Sequence, residues 1–183
     1  MIFINMMHSK KIYNDIFNNW KSFLFENVTE NDNKYILLFW NDDGDNEEFE
    51  EYGIDPYDAS NKALEIAKKG GVNILSDKNL LTILLDTELS TVIGAGWVSN
   101  DSDTFSFDIA IDSSYQNKGL SKKLIEAIID EYKYQKSIYD DMNQDFKMEV
   151  DVINPKLAEI LKTKYGFYVV ETLGPDRVLM SIN

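Results

Sequence analysis

The chain of 183 residues is 44% hydrophobic, enough for one domain with its own core. It contains no cysteine, which excludes disulfides, thiolate metal sites and a thiol nucleophile. A formal net charge of −14 argues against a general nucleic-acid binder, whose affinity comes from Lys and Arg displacing counterions, and favours a cationic partner such as a polyamine, an aminoglycoside, or a lysine or terminal amine of a basic protein.

Met1–Met7 is apolar but short, with no basic stretch before it and no small-residue cleavage site after it, so it reads as a candidate strand and not as a signal peptide. No window approaches the roughly 20 apolar residues of a membrane-spanning helix, and the expectation is a soluble, cytoplasmic protein. Ile12, Ile16, Trp20 and Leu24 recur every fourth residue, with Tyr13, Phe17 and Phe23 beside them, which predicts an amphipathic helix from about His8 to Phe25. Tyr35 to Trp40 is a continuous apolar run and reads as a short buried strand. Asp42 to Glu51 holds seven carboxylates in ten residues, a density that favours a solvated loop. Calcium is the sharper alternative, but the EF-hand spacing is not met, and no metal site is expected. Asp55 before Pro56 is an N-cap followed by the helical position that tolerates proline, Asp58 sits in the first turn, and Gly70 and Gly71 supply a stop. With Ala63, Leu64, Ile66 and Ala67 as its apolar stripe, a helix over Pro56–Lys69 follows.

The period then becomes extended. Leu80–Leu85, Thr91–Val98 and Thr104–Ile111 read as a three-stranded meander broken by turn residues. In its third strand Phe105, Phe107, Ile109 and Ile111 share one face, and Ser106, Asp108 and Ala110 the other. Leu120, Leu124, Ile128 and Tyr132 stack at helical spacing in the next element. Strand Phe146–Val152 comes after it, then a helix over Pro155–Tyr165 capped by Asn154 and stopped by Gly166. Phe167–Thr172 and Arg177–Ile182 close the chain as two strands around Gly174, Pro175 and Asp176. There is no internal repeat and no low-complexity linker.

The segment with chemistry in it is Tyr115-Gln116-Asn117-Lys118-Gly119-Leu120-Ser121, between the third meander strand and its helix. A helix N-terminus offers unpaired backbone N–H groups and a partial positive charge, which suit an anion. Gly119 admits a bulky anion close to the backbone. Lys118, Lys122 and Lys123 stand where the helix dipole disfavours cations, a conflict that an anion between them resolves. The plain alternative is an ordinary helix start whose Lys122 pairs with Glu126 one turn on, and the residues alone leave both readings open.

This segment resembles the acetyl-CoA signature of the GCN5-related N-acetyltransferase (GNAT) family, in which Arg or Gln, two variable residues, Gly, one variable residue and Gly or Ala follow in order. Here Gln116, Asn117, Lys118, Gly119, Leu120 and Ser121 stand in those places, Ser121 departing from Gly or Ala, and Ile109 and Ile111 precede them where the family usually has Leu and Val. Downstream, Asn154, Ala158, Leu161, Lys164, Gly166 and Phe167 are similar to the family's second signature. With the order of strands, the resemblance covers about Leu80 to Asn183. It implies an α/β (α+β) fold of the GNAT type, a central mixed, mostly antiparallel sheet of six to seven strands flanked by about four helices, as a single domain over 1–183. Residues 1–79 would be its variable helical part, with the acidic loop 42–51 as an addition, and 80–183 the cofactor-binding core.

The resemblance also implies a mechanism. The third strand, counted from Leu80, would splay from the sixth, and the pantetheine arm of acetyl-CoA would enter the gap and bond to backbone at Ile109, Ala110 and Ile111. The pyrophosphate would sit on the N–H groups of Gln116, Asn117, Lys118, Gly119, Leu120 and Ser121, with Asn154 also on the cofactor side. An amine then attacks the thioester directly in a ternary complex, with no covalent enzyme intermediate. Many members carry a tyrosine acid in the last helix at a position that aligns with Lys162; Tyr165, three residues on, is the candidate substitute. The base would be Asp108, Asp86 or Glu88. His8 lies outside these motifs and reads as a surface residue. The expected function is thus an acyl-CoA-dependent N-acetyltransferase, and the alternative is a GNAT-fold interaction protein with weak or no turnover.

Overall fold

Local signals close most elements of this chain. The computed structural model describes residues 34–40, 46–75, 78–101, 103–152, 154–175 and 177–182. The predicted strand at Met1–Met7, the helix at His8–Phe25 and residues 42–45 of the acidic segment lie outside the described residues. Contacts divide the chain into two compact units, Met1–Ile36 and Leu37–Asn183.

Strand β1 spans Tyr35–Phe39. The second half of the acidic segment is a short helix, α1 (Glu47–Glu51), and not the loop its charge suggests. One residue accounts for the difference: Phe49 is fully buried and meets the ring of Trp40 edge-on at 5.9 Å, and that burial outweighs repulsion among glutamates that stay at least partly in water. Helix α2 (Pro56–Lys69) starts where Asp55 accepts the Asp58 N–H at 3.0 Å, a cap worth about 1 kcal/mol, and buries Ala59, Ala63, Ile66 and Ala67.

The meander is present as β2 (Asn79–Asp86), β3 (Thr91–Asp101) and β4 (Thr104–Ile111). A 3₁₀ turn, Ser113–Tyr115, leads to helix α3 (Ser121–Asp141), followed by β5 (Lys147–Val152). Helix α4 (Pro155–Tyr165) is capped by Asn154, which accepts the Lys156 and Leu157 N–H groups, and ends at Gly166, whose φ of +78° is the left-handed turn that lets Phe167 dive into the core. β6 (Tyr168–Gly174) and β7 (Arg177–Ile182) finish the chain. Among the described residues no helix is long and apolar enough to cross a membrane.

The seven strands form one sheet in the order β1-β2-β3-β4-β5-β7-β6. The pairs β2–β3, β3–β4, β5–β7 and β6–β7 are antiparallel; β4–β5 is parallel, because α3 is the long crossover that a parallel pair requires. Phe105 and Phe107 of β4 share one buried cluster with Ile125, Ile128, Ile129 and Tyr132 of α3, Met148 of β5 and Leu161 of α4. The α3 helix packs so closely on β3 that a Cβ at Gly96 would lie 3.0 Å from Ile128. No α2 residue belongs to that cluster; α2 lies against β2, β3 and β4. The sheet is therefore covered on both faces at β4, the strand that carries the predicted site.

Candidate active site

The β4–β5 ladder is short. Thr104, Phe105 and Ser106 pair with Lys147, Met148 and Glu149, and among the described residues no pair follows. Yet β4 stays paired with β3 as far as Ile111, and β5 with β7 as far as Val152. From Phe107 and Val150 onward no ladder pair joins the two strands among the described residues, which leaves a wedge that an extended ligand fills as a strand would. The strand across the gap is β5, not the sixth strand of the series; that strand, β7, pairs on the far side of β5. The crossover through α3 sets this, since it returns the chain beside β4 in the strand that follows it.

The wedge opens toward the C-terminal end of β4, so the segment leaving that strand stands at its mouth. Gly94 lets β3 approach there, for a Cβ on it would lie 2.8 Å from the Ala110 carbonyl oxygen. The Asp112 N–H bonds the Ile93 carbonyl at 2.8 Å, and its carboxylate accepts the Ser114 hydroxyl at 2.6 Å and the Ser114 N–H at 2.9 Å. Those two hydrogen bonds hold the Asp112 carboxyl below its ordinary range. The Gln116 side-chain amide donates back to the Ile111 carbonyl at 3.2 Å. Asn117 then takes φ of +63° and Gly119 φ of +77°, with Leu120 between Gly119 and the helix in a right-handed conformation.

Alternation of left- and right-handed residues turns successive N–H groups toward one concavity, the geometry of a backbone anion nest. The first turn of α3 is tightened by Lys122 and Lys123 N–H groups bonding the Gly119 and Leu120 carbonyls at 3.1 and 3.2 Å. Among the described residues the N–H groups of Asn117, Lys118, Gly119, Leu120 and Ser121 have no carbonyl partner, and, its chain neighbours aside, no described atom lies within 4 Å of where a Gly119 Cβ would stand. A backbone donor set with open space before it fits a diphosphate.

The Acetyltransferase (GNAT) family model matches residues 34–139, more than half of the chain. The chain belongs to the GNAT family. GNAT acetyltransferases use acetyl-CoA. No curated protein matches this chain. Solved structures similar to it include a GNAT-family acetyltransferase from Streptococcus pneumoniae, 14% identical over 81% of this chain and 98% of that one, with a TM-score of 0.49. Another is yncA, a putative acetyltransferase from Salmonella typhimurium with its cofactor acetyl-CoA, 17% identical over 82% and 94% with a TM-score of 0.47. A mutant of the spermidine N-acetyltransferase SpeG from Vibrio cholerae is 18% identical over 82% and 94%, with a TM-score of 0.46.

The residues expected in a GNAT site fall into two groups. Ile109, Ala110 and Ile111 line β4 beyond its last β5 partner, and Gln116–Ser121 form the loop just described, so these nine lie along one continuous path. Lys118 and Lys122 are less free than the sequence implies: Lys118 Nζ rests 4.4 Å from the Tyr115 ring centroid, and Lys122 makes the 3.6 Å pair with Glu126 that an ordinary helix start would make. Asn154 uses its side-chain oxygen to cap α4.

The proton-transfer candidates Asp108, Asp86 and Tyr165 are engaged within the fold. Asp108 lies 3.6 Å from the ammonium of Lys78, which also donates to the Ser106 hydroxyl at 2.5 Å; that hydroxyl in turn meets Ser99 at 2.8 Å. Asp86 is buried, and accepts the Glu88 and Leu89 N–H groups and the Tyr115 hydroxyl. Glu88 lies on the exposed β2–β3 turn. Tyr165 packs against the main core cluster at the end of α4, where burial, the charge of Glu126 and a hydrogen bond to that carboxylate push its phenol up to about 12. Lys78 and the Asp86–Tyr115 pair carry no local sequence signature and are legible only in the fold. Among the described residues no group of three or more His, Asp or Glu side chains is arranged to hold a metal ion.

Proposed function

We propose that this chain is an N-acetyltransferase that passes the acetyl group of acetyl-CoA to a primary amine by direct attack within a ternary complex. The observation that carries the reading is the early parting of β4 and β5 after Ser106, with the Gly119 loop at the open end. Bound acetyl-CoA supplies a thioester whose carbonyl carbon an amine attacks, forming the amide and releasing the thiolate. The backbone of Ile109, Ala110 and Ile111 takes the pantetheine arm as an added strand, and a β4 N–H in that stretch stabilises the developing oxyanion. The N–H groups of Asn117–Ser121 hold the diphosphate, that of Gln116 being bonded to the Ser113 carbonyl at 3.4 Å, and Asn154 offers its amide NH₂ group from the cap of α4. Asp108 accepts the proton the amine must lose, directly or through water. The acidic balance of the chain, −14, draws in cationic acceptors, either small amines or a protein lysine or N-terminus.

Tyr165 is poorly matched to the role of acid. A CoA thiol of ordinary acidity, pKa about 8.5, is the stronger acid than a phenol at about 12 by roughly three powers of ten, so Tyr165 would protonate the thiolate uphill. Tyr165→Phe is accordingly expected to lower kcat less than about tenfold, with solvent supplying the proton; a loss beyond a hundredfold would establish the phenol as the acid.

A second reading keeps the cleft without turnover, as an interaction protein, and the engagement of Asp108 with Lys78 and of Tyr165 with Glu126 favours it. Calorimetry with acetyl-CoA, followed by thiol release over a panel of polyamines, aminoglycosides and lysine peptides, separates the two. Binding with release supports the enzyme; binding without release on any amine supports the interaction protein. Absence of binding removes both.

A further inference from the structure

Asp86 is the last residue of β2 and 1% exposed, and a carboxylate withdrawn from water that far is costly unless both oxygens hold donors. One oxygen, Oδ1, accepts the Glu88 N–H at 3.1 Å and the Leu89 N–H at 3.4 Å, and so fixes the turn into β3. The turn needs nothing more from this side chain; a neutral Asn oxygen would serve it equally. The other oxygen, Oδ2, accepts the Tyr115 hydroxyl at 3.1 Å, from a residue 29 positions along the chain.

Tyr115 closes the 3₁₀ turn directly before Gln116, the first residue of the anion loop. Its ring lies under the Lys118 ammonium, 4.4 Å from the centroid. One side chain is thus gripped at its hydroxyl by a buried carboxylate of the sheet and presents its face to a lysine of the loop. The other described anchors of this segment, Asp112 N–H on Ile93 and Gln116 on Ile111, hold its start to the ends of β3 and β4. Beyond them the backbone takes positive φ at Asn117 and again at Gly119, residue types that enter and leave that region readily, so the shape of the loop depends on its anchors.

We propose that Tyr115 is a positioning residue for cofactor binding: clamped by Asp86, it holds the Gln116–Ser121 backbone ready for a diphosphate before the ligand arrives. This rests on the acetyl-CoA reading above. A pre-formed nest binds without meeting the ordering cost at that moment, so loss of the clamp weakens binding and leaves the chemical step alone.

The test uses the full chain with Tyr115→Phe, which deletes the hydroxyl and keeps the ring under Lys118. Expected are a rise of about tenfold in Kd for acetyl-CoA by calorimetry, a matching rise in its KM, and kcat within about twofold of the parent. Asp86→Asn keeps an acceptor for the turn and replaces the charged acceptor of the Tyr115 hydroxyl by a neutral NH₂ donor, so it is expected to raise Kd by about threefold, less than Tyr115→Phe, and the double variant to bind no worse than Tyr115→Phe alone, since the two groups act as one unit. If Tyr115→Phe does not fold, Asp86→Asn decides alone through the same split between KM and kcat. Unchanged Kd in the variants, a fall in kcat at constant KM, or additive losses in the double variant overturns the proposal. Should the parent itself bind no acetyl-CoA, the acetyl-CoA reading falls first and the clamp with it; a parent that binds beside variants that bind equally well refutes the clamp alone.

Discussion

Gly119→Glu should raise the Kd for acetyl-CoA at least a hundredfold while leaving the melting temperature within several degrees of the parent. The two effects have different physical origins. With φ of +77°, position 119 penalises any L side chain by about 1–2 kcal/mol, which for a chain of this size lowers the melting temperature by about 2–8 °C. Its chain neighbours aside, no described atom stands within 4 Å of the new Cβ, so the side chain has space and the fold is not forced apart. A carboxylate there, however, sits beside the N–H groups assigned to the diphosphate. At an effective dielectric of about 20 two unit charges 4 Å apart repel by about 4 kcal/mol, and each 1.4 kcal/mol is about tenfold in affinity. Gly119→Asn separates charge from strain: asparagine tolerates the left-handed region and carries no charge, so its Kd should rise less than about tenfold. Calorimetry on both variants, with thermal melts alongside, reads the result. If the glutamate variant binds as the parent does, the diphosphate is held elsewhere and the assignment of the loop is wrong.

What the sequence made legible was whatever short-range chemistry decides. Asp55 with Pro56, Asn154 with Pro155, and Gly166 after Tyr165 each cap or stop a helix through contacts within a few residues, and α2 and α4 begin and end where those residues put them. The meander was equally local, a matter of alternation and turns. The acidic segment misled because charge density is a local property whereas the burial of Phe49 against Trp40 is not. The partner of β4 across the gap was misplaced for a related reason: periodicity shows that a strand exists but carries no term for its neighbour, and the crossover rule that puts β5 beside β4 acts on topology. In the site, the loop conformation followed from Gly119 and its motif, while the pairings that hold Asp108 and Asp86 join residues far apart in the chain. Tyr115 and Asp86 both stood in segments singled out by sequence, but nothing local joined them, and nothing around Lys78 pointed to Asp108.

Those long-range pairings decide the remaining large effect, that of Asp108. Asp108→Asn is expected to lower kcat for thiol release by about 10²–10⁴, the range that a positioned base contributes, with the KM for acetyl-CoA little changed. The carboxylate stands on β4 two residues past Ser106, where the pairing with β5 stops, and its side chain is 29% exposed, so water or an amine can reach it. Lys78, only 8% exposed at its side chain, holds the same carboxylate from within the fold. Two roles are therefore in competition, proton acceptor for the amine and counter-ion for a buried lysine, and a single substitution removes both. Lys78→Met separates them. It deletes the ammonium and keeps the carboxylate, so it should leave kcat within about tenfold if Asp108 is the base, because the reacting group is still present. Asp108→Asn, by contrast, leaves the Lys78 ammonium buried without that carboxylate, and should also lower the melting temperature more than Lys78→Met does. Kinetics measured well below both melting transitions keep stability out of the comparison. A pair of variants that lose stability but keep kcat would reduce Asp108 to a counter-ion and shift the weight of the reading toward a cleft that binds without turning over.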